Sequence, residues 1–398
     1  MATMDIKPGS AKSPKPTRSQ RKPDAVIDEA LEDQLDNQRD VKKLPKDKQR
    51  RWYKRLGWWW LVIILALIAL GGAGAWWYIL QAKPTAVKVN AYVAPPKPKV
   101  VADPLTGLPV TPEAAAQPVV GVMVENLDPN ARPQSGLGQA GIVYEALAEG
   151  GITRFLSIYQ EPFPATIGPV RSLRPYYLDW DLEYGIAIAH AGGSIPALAE
   201  VPTSGVEDIN ALASGTSFYR TSDRLAPHNL YTNAALLAQL LQTRGFAKAP
   251  TFTPLPRKAD QPPKGVVPHP TISINFSYSD YAVQYRYDQP SNSYARWMAG
   301  TQHVDRNTGK QIYVKNVIVE YIPVSYSTQA DGDPQTNYAD VGSGKAIVFD
   351  DGNATTATWA KTTQSAQTTI DDANGKPIKL NAGNTWFEMV PTINTVTY

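Results

Sequence analysis

Cysteine is absent from all 398 residues. That excludes disulfides, thiol nucleophiles, thiolate metal sites and lipid attachment through a cysteine sulfur. The familiar catalytic signatures are missing too: there is no P-loop, no HExxH and no G-x-S-x-G. Gly192-Gly193-Ser194 is a glycine turn after a strand-like run, but it lacks the flanks of a nucleophile elbow. No internal period stands out, which disfavours a propeller or a solenoid. Charge is missing from Trp58 through Leu80, and this gap organises the chain.

As a helix that run is roughly 34 Å long, enough for a hydrocarbon core of about 30 Å. It holds ten Leu, Ile and Val residues. Together they favour insertion by about 3 to 6 kcal/mol. Trp58-Trp59-Trp60 and Trp76-Trp77-Tyr78 close its ends, where amphipathic rings prefer the headgroup boundary. Residues 1–57 carry 15 Lys and Arg against 9 Asp and Glu, whereas residues 81–398 carry 24 against 27. The basic cluster Lys46, Lys48, Arg50, Arg51, Lys54 and Arg55 abuts the apolar run. The positive-inside rule therefore predicts a single-pass membrane protein with a cytoplasmic N-terminus and an extracytoplasmic bulk. A secretory signal peptide would be shorter and nearer the N-terminus. Membrane lipid along Trp58–Leu80 is one expected partner; the basic cluster reads as lipid contact, and no nucleic acid is expected.

The rest of the chain divides by composition. Residues 1–57 read as a disordered basic cytoplasmic tail, with a marginal helix over 24–40. Residues 58–80 are the transmembrane helix, and 81–102 a proline-rich spacer. Over 103–246, apolar runs at 119–126, 153–159 and 186–190 read as strands, while 174–184 and 234–244 have helical spacing. Periodicity leaves 141–147 open between strand and helix. Strands interleaved with helices predict an α/β lobe. Seven prolines over 247–270 predict a connector without regular structure. Over 271–398, strand-like runs at 272–276, 283–287, 312–322, 345–349 and 385–390, with turn signals Asp351-Gly352 and Asn374-Gly375, predict a mostly β second lobe. The fold class is thus α+β or α/β behind a single span.

Polar residues cluster in glycine- and proline-rich loops of the first lobe. Guanidinium forks match carboxylates and phosphates, and loops after strands of an α/β sheet commonly form a ligand crevice. Arg132, Arg154, Arg171, Arg174 and Arg224, with Asn229, are therefore the candidate ligand-binding residues for an anionic small molecule or envelope polymer. Glu145, His190 and His228 are the candidate proton-transfer groups. The competing reading brackets these arginines internally against Glu125, Glu145, Glu149 and Asp223. His303 with Asp305, and Asp331 with Asp333, have metal-like spacing, but turn chemistry accounts for such loops. No cofactor and no metal are expected.

Several of these segments resemble the YerB-like bacterial family, a domain family of unknown function with many predicted lipoproteins. The likeness is carried by 104–109, 131–137, 144–155, 167–176, 190–194 and 226–231, and by 303–305, 316–319, 342–346 and Thr385-Trp386 in the second lobe. It implies an extracytoplasmic, membrane-attached protein with two lobes and no defined reaction. Two departures stand out. This chain has a membrane helix where members often have a lipid-modified cysteine, and Gly141 stands where an acidic residue is usual. The leading expectation is a single-pass cell-envelope protein that binds an anionic ligand or partner. The alternative is a hydrolase or transferase acting on an anionic envelope substrate. A scaffold joining the tail to an envelope complex is a third reading.

Overall fold

The computed structural model describes residues 59–82 and 99–398. The tail over 1–57, its marginal helix and most of the proline-rich spacer lie outside the described residues. The chain forms two units, 1–94 and 95–398. In the first, α1 (Trp59–Gln81) is a continuous helix, exposed from Trp60 onward and long and apolar enough to cross a membrane.

The second unit contains an α/β region followed by a mostly β region. In the first region, β1 (Val119–Glu125), β2 (Ile142–Leu147), β3 (Thr153–Gln160), β4 (Ala187–His190) and β5 (Glu207–Asn210) accompany α2 (Pro175–Leu182), α3 (Ile195–Ser204) and α4 (Ala234–Arg244). The stretch that periodicity leaves open is thus a strand, β2. Helix α3 is not expected from the sequence, because Pro196 and Pro202 look like breakers. Pro196 falls in the first turn, where its missing N–H has no partner to lose, and the Ser194 side chain caps that end. Asn233 caps α4 by accepting from the Leu236 N–H at 2.9 Å, and Gly245 closes it in the left-handed conformation.

In the second region, β6 (Thr271–Asn275), β7 (Ala282–Asp288), β8 (Ser293–Met298) and β14 (Val396–Thr397) form the smaller sheet with Thr301–Gln302 and Tyr313–Val314. The others are β9 (Asn316–Ile322), β10 (Gly342–Asp350), β11 (Asn353–Lys361), β12 (Thr369–Asp371) and β13 (Thr385–Pro391). The run over 312–322, expected as one strand, is two. Tyr313–Val314 pairs with β8, and after Lys315 the chain enters the larger sheet as β9. Asp351 and Gly352, at φ 53° and 66°, make the two-residue turn between β10 and β11. In the connector, Arg257–Lys258 pairs in parallel with Leu380–Asn381, a short regular element where none is expected.

The larger sheet has ten strands in the order β12-β11-β10-β9-β13-β2-β3-β1-β4-β5. Its joint is β13, which pairs in parallel with β9 on one side and with β2 on the other. Both regions therefore share one sheet. Side chains alternate between its faces. Tyr144 and Phe387 stack at 4.6 Å on the face covered by α2, where Trp180 lies over Tyr144. Phe155 and Trp386 point to the opposite face and meet Arg296 of the smaller sheet. Gly121 is dictated by this packing, because a Cβ there would overlap the Asp181 carboxylate of α2. Asp181 is fully buried, so any shift of its carboxylate disturbs the packed core. Gly121→Ala is expected to cost about 1–3 kcal/mol in urea denaturation, as other overpacked cores do.

Candidate functional site

Strands β1 and β4 end, and β3 begins, at one edge of the ten-stranded sheet. Glu125 lies directly opposite Arg154 in the β1–β3 pairing. Alternation then separates the polar residues. Glu125 and Arg154 share the helix-covered face, while Asn126, Thr153 and Glu145 turn to the face of the smaller sheet.

On the helix-covered face, Glu125 Oε1 accepts from Arg171 Nε at 3.0 Å and faces His228 Nδ1 at 2.9 Å. Its Oε2 is buried without a partner. Arg174 grips Glu149 through Nε and Nη2 at 2.6–2.9 Å. Burial would raise Glu149, but this fork and the charges of Arg174 and Arg154 hold it below the usual carboxylate range. Arg154 donates from Nη1 to the Ser172 carbonyl at 2.6 Å. Among the described residues, no carboxylate lies within ion-pair distance of it. Burial, then the charge of Arg174, lowers its pKa to about 10.

On the other face, Glu145 is fully buried. It accepts from Thr153 Oγ1 at 2.6 Å and pairs with Arg296 through its second oxygen. Arg296 also reaches His303 and donates to the Tyr285 hydroxyl, which in turn donates to Glu388. Burial, then the charge of Glu145, pushes Glu388 well above the carboxylate range. Burial and the charges of Arg296 and Arg132 push His303 well below the usual histidine value. Gln134 links His303 to Asn126, and Asn126 accepts from Arg132 Nε at 2.9 Å. Arg132 also pairs with Asp128, lies 5.2 Å from the Tyr281 ring, and keeps Nη2 buried and unpartnered.

The fold thus brings Arg154, Arg171, Arg174 and His228 to one edge on the helix-covered face, while Arg132 and Glu145 belong to the network on the opposite face. The remaining candidates lie outside this group. Both ring nitrogens of His190 are taken, by the Gly192 carbonyl at 2.7 Å and by Asp208 at 2.6 Å. Arg224 holds the carbonyls of Ala131 and Pro133, and Asn229 braces its own loop against Thr221 and Arg224. Asp305 accepts from the N–H groups of Gly138 and Asn307. At Gly141 a side chain would press on Leu105, 2.9 Å from the added carbon, so the acid usual in the resemblance has no room beside this turn.

Sequence reasoning passes over Arg296, Glu388, Tyr285 and Tyr281, all from the second region. One signal was available: Glu388 is a lone carboxylate in the apolar run Trp386–Val390. Glu125 entered only as a bracket. An apolar cleft of about 290 Å³ lies elsewhere, lined by Leu255, Ile318, Ile370, Ile378 and Leu380. The cationic edge, not this apolar concavity, gathers the groups able to hold an anion.

Residues 105–247 match the N-terminal domain, and 272–387 the C-terminal domain, of a family described as protein of unknown function DUF3048. The chain is 31% identical over 302 residues to YerB of Bacillus subtilis (strain 168), which its name describes as a candidate lipoprotein; the match covers 75% of this chain and 89% of YerB. The crystal structure of YerB from Bacillus subtilis aligns with a TM-score of 0.66 at 30% identity, covering 75% of this chain and 100% of that one.

Proposed function

Since this chain belongs to the DUF3048 family, whose relative YerB carries a lipoprotein name, we propose that it is a membrane-anchored extracytoplasmic protein that binds an anionic ligand or envelope partner at the edge formed by Arg154, Arg171 and Arg174. Helix α1 serves as a single-pass anchor, and the surplus of Lys and Arg over residues 1–57 keeps the N-terminus cytoplasmic. Protease added to intact cells should then cleave the C-terminal regions. Regions that survive in intact cells but are cleaved after lysis overturn the orientation.

Arg154 is the observation that carries the binding reading. Arg171, Arg174 and Arg132 each have a carboxylate partner, whereas Arg154 is buried with only a backbone carbonyl. Glu149 acts on Arg154 from beyond ion-pair distance, and a buried cation with no ion pair of its own gains most from an incoming anion. Inorganic phosphate should therefore raise the melting temperature of the parent protein, because binding the folded state stabilises it. In Arg154→Met the apparent affinity should fall at least tenfold while the ligand-free melting temperature holds or rises. Equal phosphate shifts in both proteins reject the assignment.

The alternative, a hydrolase or transferase acting on an anionic envelope substrate, is favoured by the setting of His228. Of Glu145, His190 and His228, it alone sits at the cationic edge with a ring nitrogen that has no hydrogen-bond partner among the described residues.

A further inference from the structure

The second unit has four histidines, of which His269 packs edge-on against the Tyr398 ring, away from the arginine edge, and the other three differ in what their ring nitrogens touch. His190 has both nitrogens engaged, by Gly192 and Asp208. His303 has both engaged, by Arg296 and Gln134. A histidine that serves packing alone is satisfied in this way. His228 differs. Its Nδ1 lies 2.9 Å from Glu125 Oε1, and its Nε2 has no hydrogen-bond partner among the described residues. A carboxylate accepts and does not donate, so Nδ1 carries a proton toward Glu125, and in the neutral ring this tautomer leaves the lone pair on Nε2. Arg171, on the same carboxylate oxygen, fixes Glu125 in that orientation. The Glu125 side chain is 4% exposed and that of His228 15%, a buried orienting acid behind a base that keeps some contact with solvent. Glu125 is also the cross-strand neighbour of Arg154. The base and the cation that has no ion pair therefore lie at one edge.

Charge selects the substrate class. Three guanidiniums gather here, and two carboxylates, Glu125 and Glu149, pair with Arg171 and Arg174. Arg154 remains, one positive charge in excess. That balance fits a monoanion such as a phosphodiester, whose two non-bridging oxygens match a guanidinium fork.

We propose that His228 and Glu125 form a proton-transfer dyad that hydrolyses a phosphodiester held by Arg154. This rests on the anion-binding reading above. His228 Nε2 takes a proton from water as the water oxygen bonds to phosphorus. The bond from phosphorus to the leaving oxygen breaks, and that oxygen takes the proton back from Nε2. One diester and one water give one phosphomonoester and one alcohol. Glu125 is a positioning residue: it holds the tautomer and steadies the imidazolium.

The test uses the full chain in detergent and bis(4-nitrophenyl) phosphate. The parent should release nitrophenolate. His228→Ala should lower kcat about 100-fold or more while binding of dimethyl phosphate, followed by phosphorus NMR, changes less than threefold. Added imidazole should restore at least tenfold of the loss, which a misfolded variant cannot show. Glu125→Gln should lower kcat at least tenfold with KM held within twofold. Glycerophosphoglycerol and phosphatidylglycerol vesicles then separate a soluble diester from a lipid headgroup, and turnover of either supports the dyad. Dimethyl phosphate binding without turnover overturns the dyad and leaves the binding reading standing. Absence of binding overturns both. Turnover that survives His228→Ala overturns the dyad alone.

Discussion

Arg296→Met should cost about 3–5 kcal/mol of stability, the penalty for breaking a buried ion pair by removing one partner. Arg296 is completely buried. It pairs with Glu145, reaches His303, donates to Tyr285 at 3.0 Å and lies 4.4 Å from the Trp386 ring centroid. Methionine fills much of the volume but strands Glu145 as an uncompensated charge. Glu388, the other acid of this network, brings no positive charge to Glu145, and burial with Glu145 favours its neutral form. The double variant Arg296→Met with Glu145→Leu removes both charges and should recover most of the loss. Urea denaturation followed by tryptophan fluorescence checks both, since Trp180, Trp359 and Trp386 are buried reporters. Because β13 ties the two regions into one sheet, a single transition is expected in parent and variants. A loss below about 1 kcal/mol would mean that the network is not what joins the smaller sheet to the larger one.

Asp181→Asn should act in the opposite direction and grow with pH. Both carboxyl oxygens of Asp181 are buried without a hydrogen bond, and burial pushes its pKa well above the usual value of 3.8. Below about pH 4 the folded and unfolded chains both hold this proton, so the substitution gains little from ionisation. Above that, the unfolded chain releases the proton and the folded chain keeps it. Parent stability then falls by about 1.4 kcal/mol per pH unit from this group, up to its raised folded value. Asparagine has no proton to release, so the variant's advantage over the parent should grow steadily as pH rises from 4 toward 7. Asp179, pushed to about 8, and Asp340, pushed to about 6, slope the curves of both proteins and cancel in the difference. A stability difference that stays constant from pH 4 to 8 would falsify the assignment.

Legibility in the sequence followed the range of the interaction. The apolar span, the β1 and β3 runs, the α4 cap and the Asp351-Gly352 turn depend on residues within a few positions of one another. Their signals are hydrophobic period, capping chemistry and positive φ, all written locally. Helix α3 was hidden because proline statistics ignore where in the helix a proline falls. The arginine loops were visible as composition, but composition does not say which face of a strand a side chain takes. Arg154 and Thr153 are neighbours in the chain and opposites in the sheet.

What a reader of the residues alone could establish is the inventory: one apolar rod, an α/β region, a β region, and guanidiniums crowded into loops. Assembly settled the rest. It returned β13 to lie against β2, set Arg296 against Glu145 across 151 positions and Glu125 against His228 across 103, and left Arg154 without an ion pair among the described residues. The reason is that backbone periodicity sets which way a side chain points, whereas its partner is whatever distant segment the closing core carries into reach.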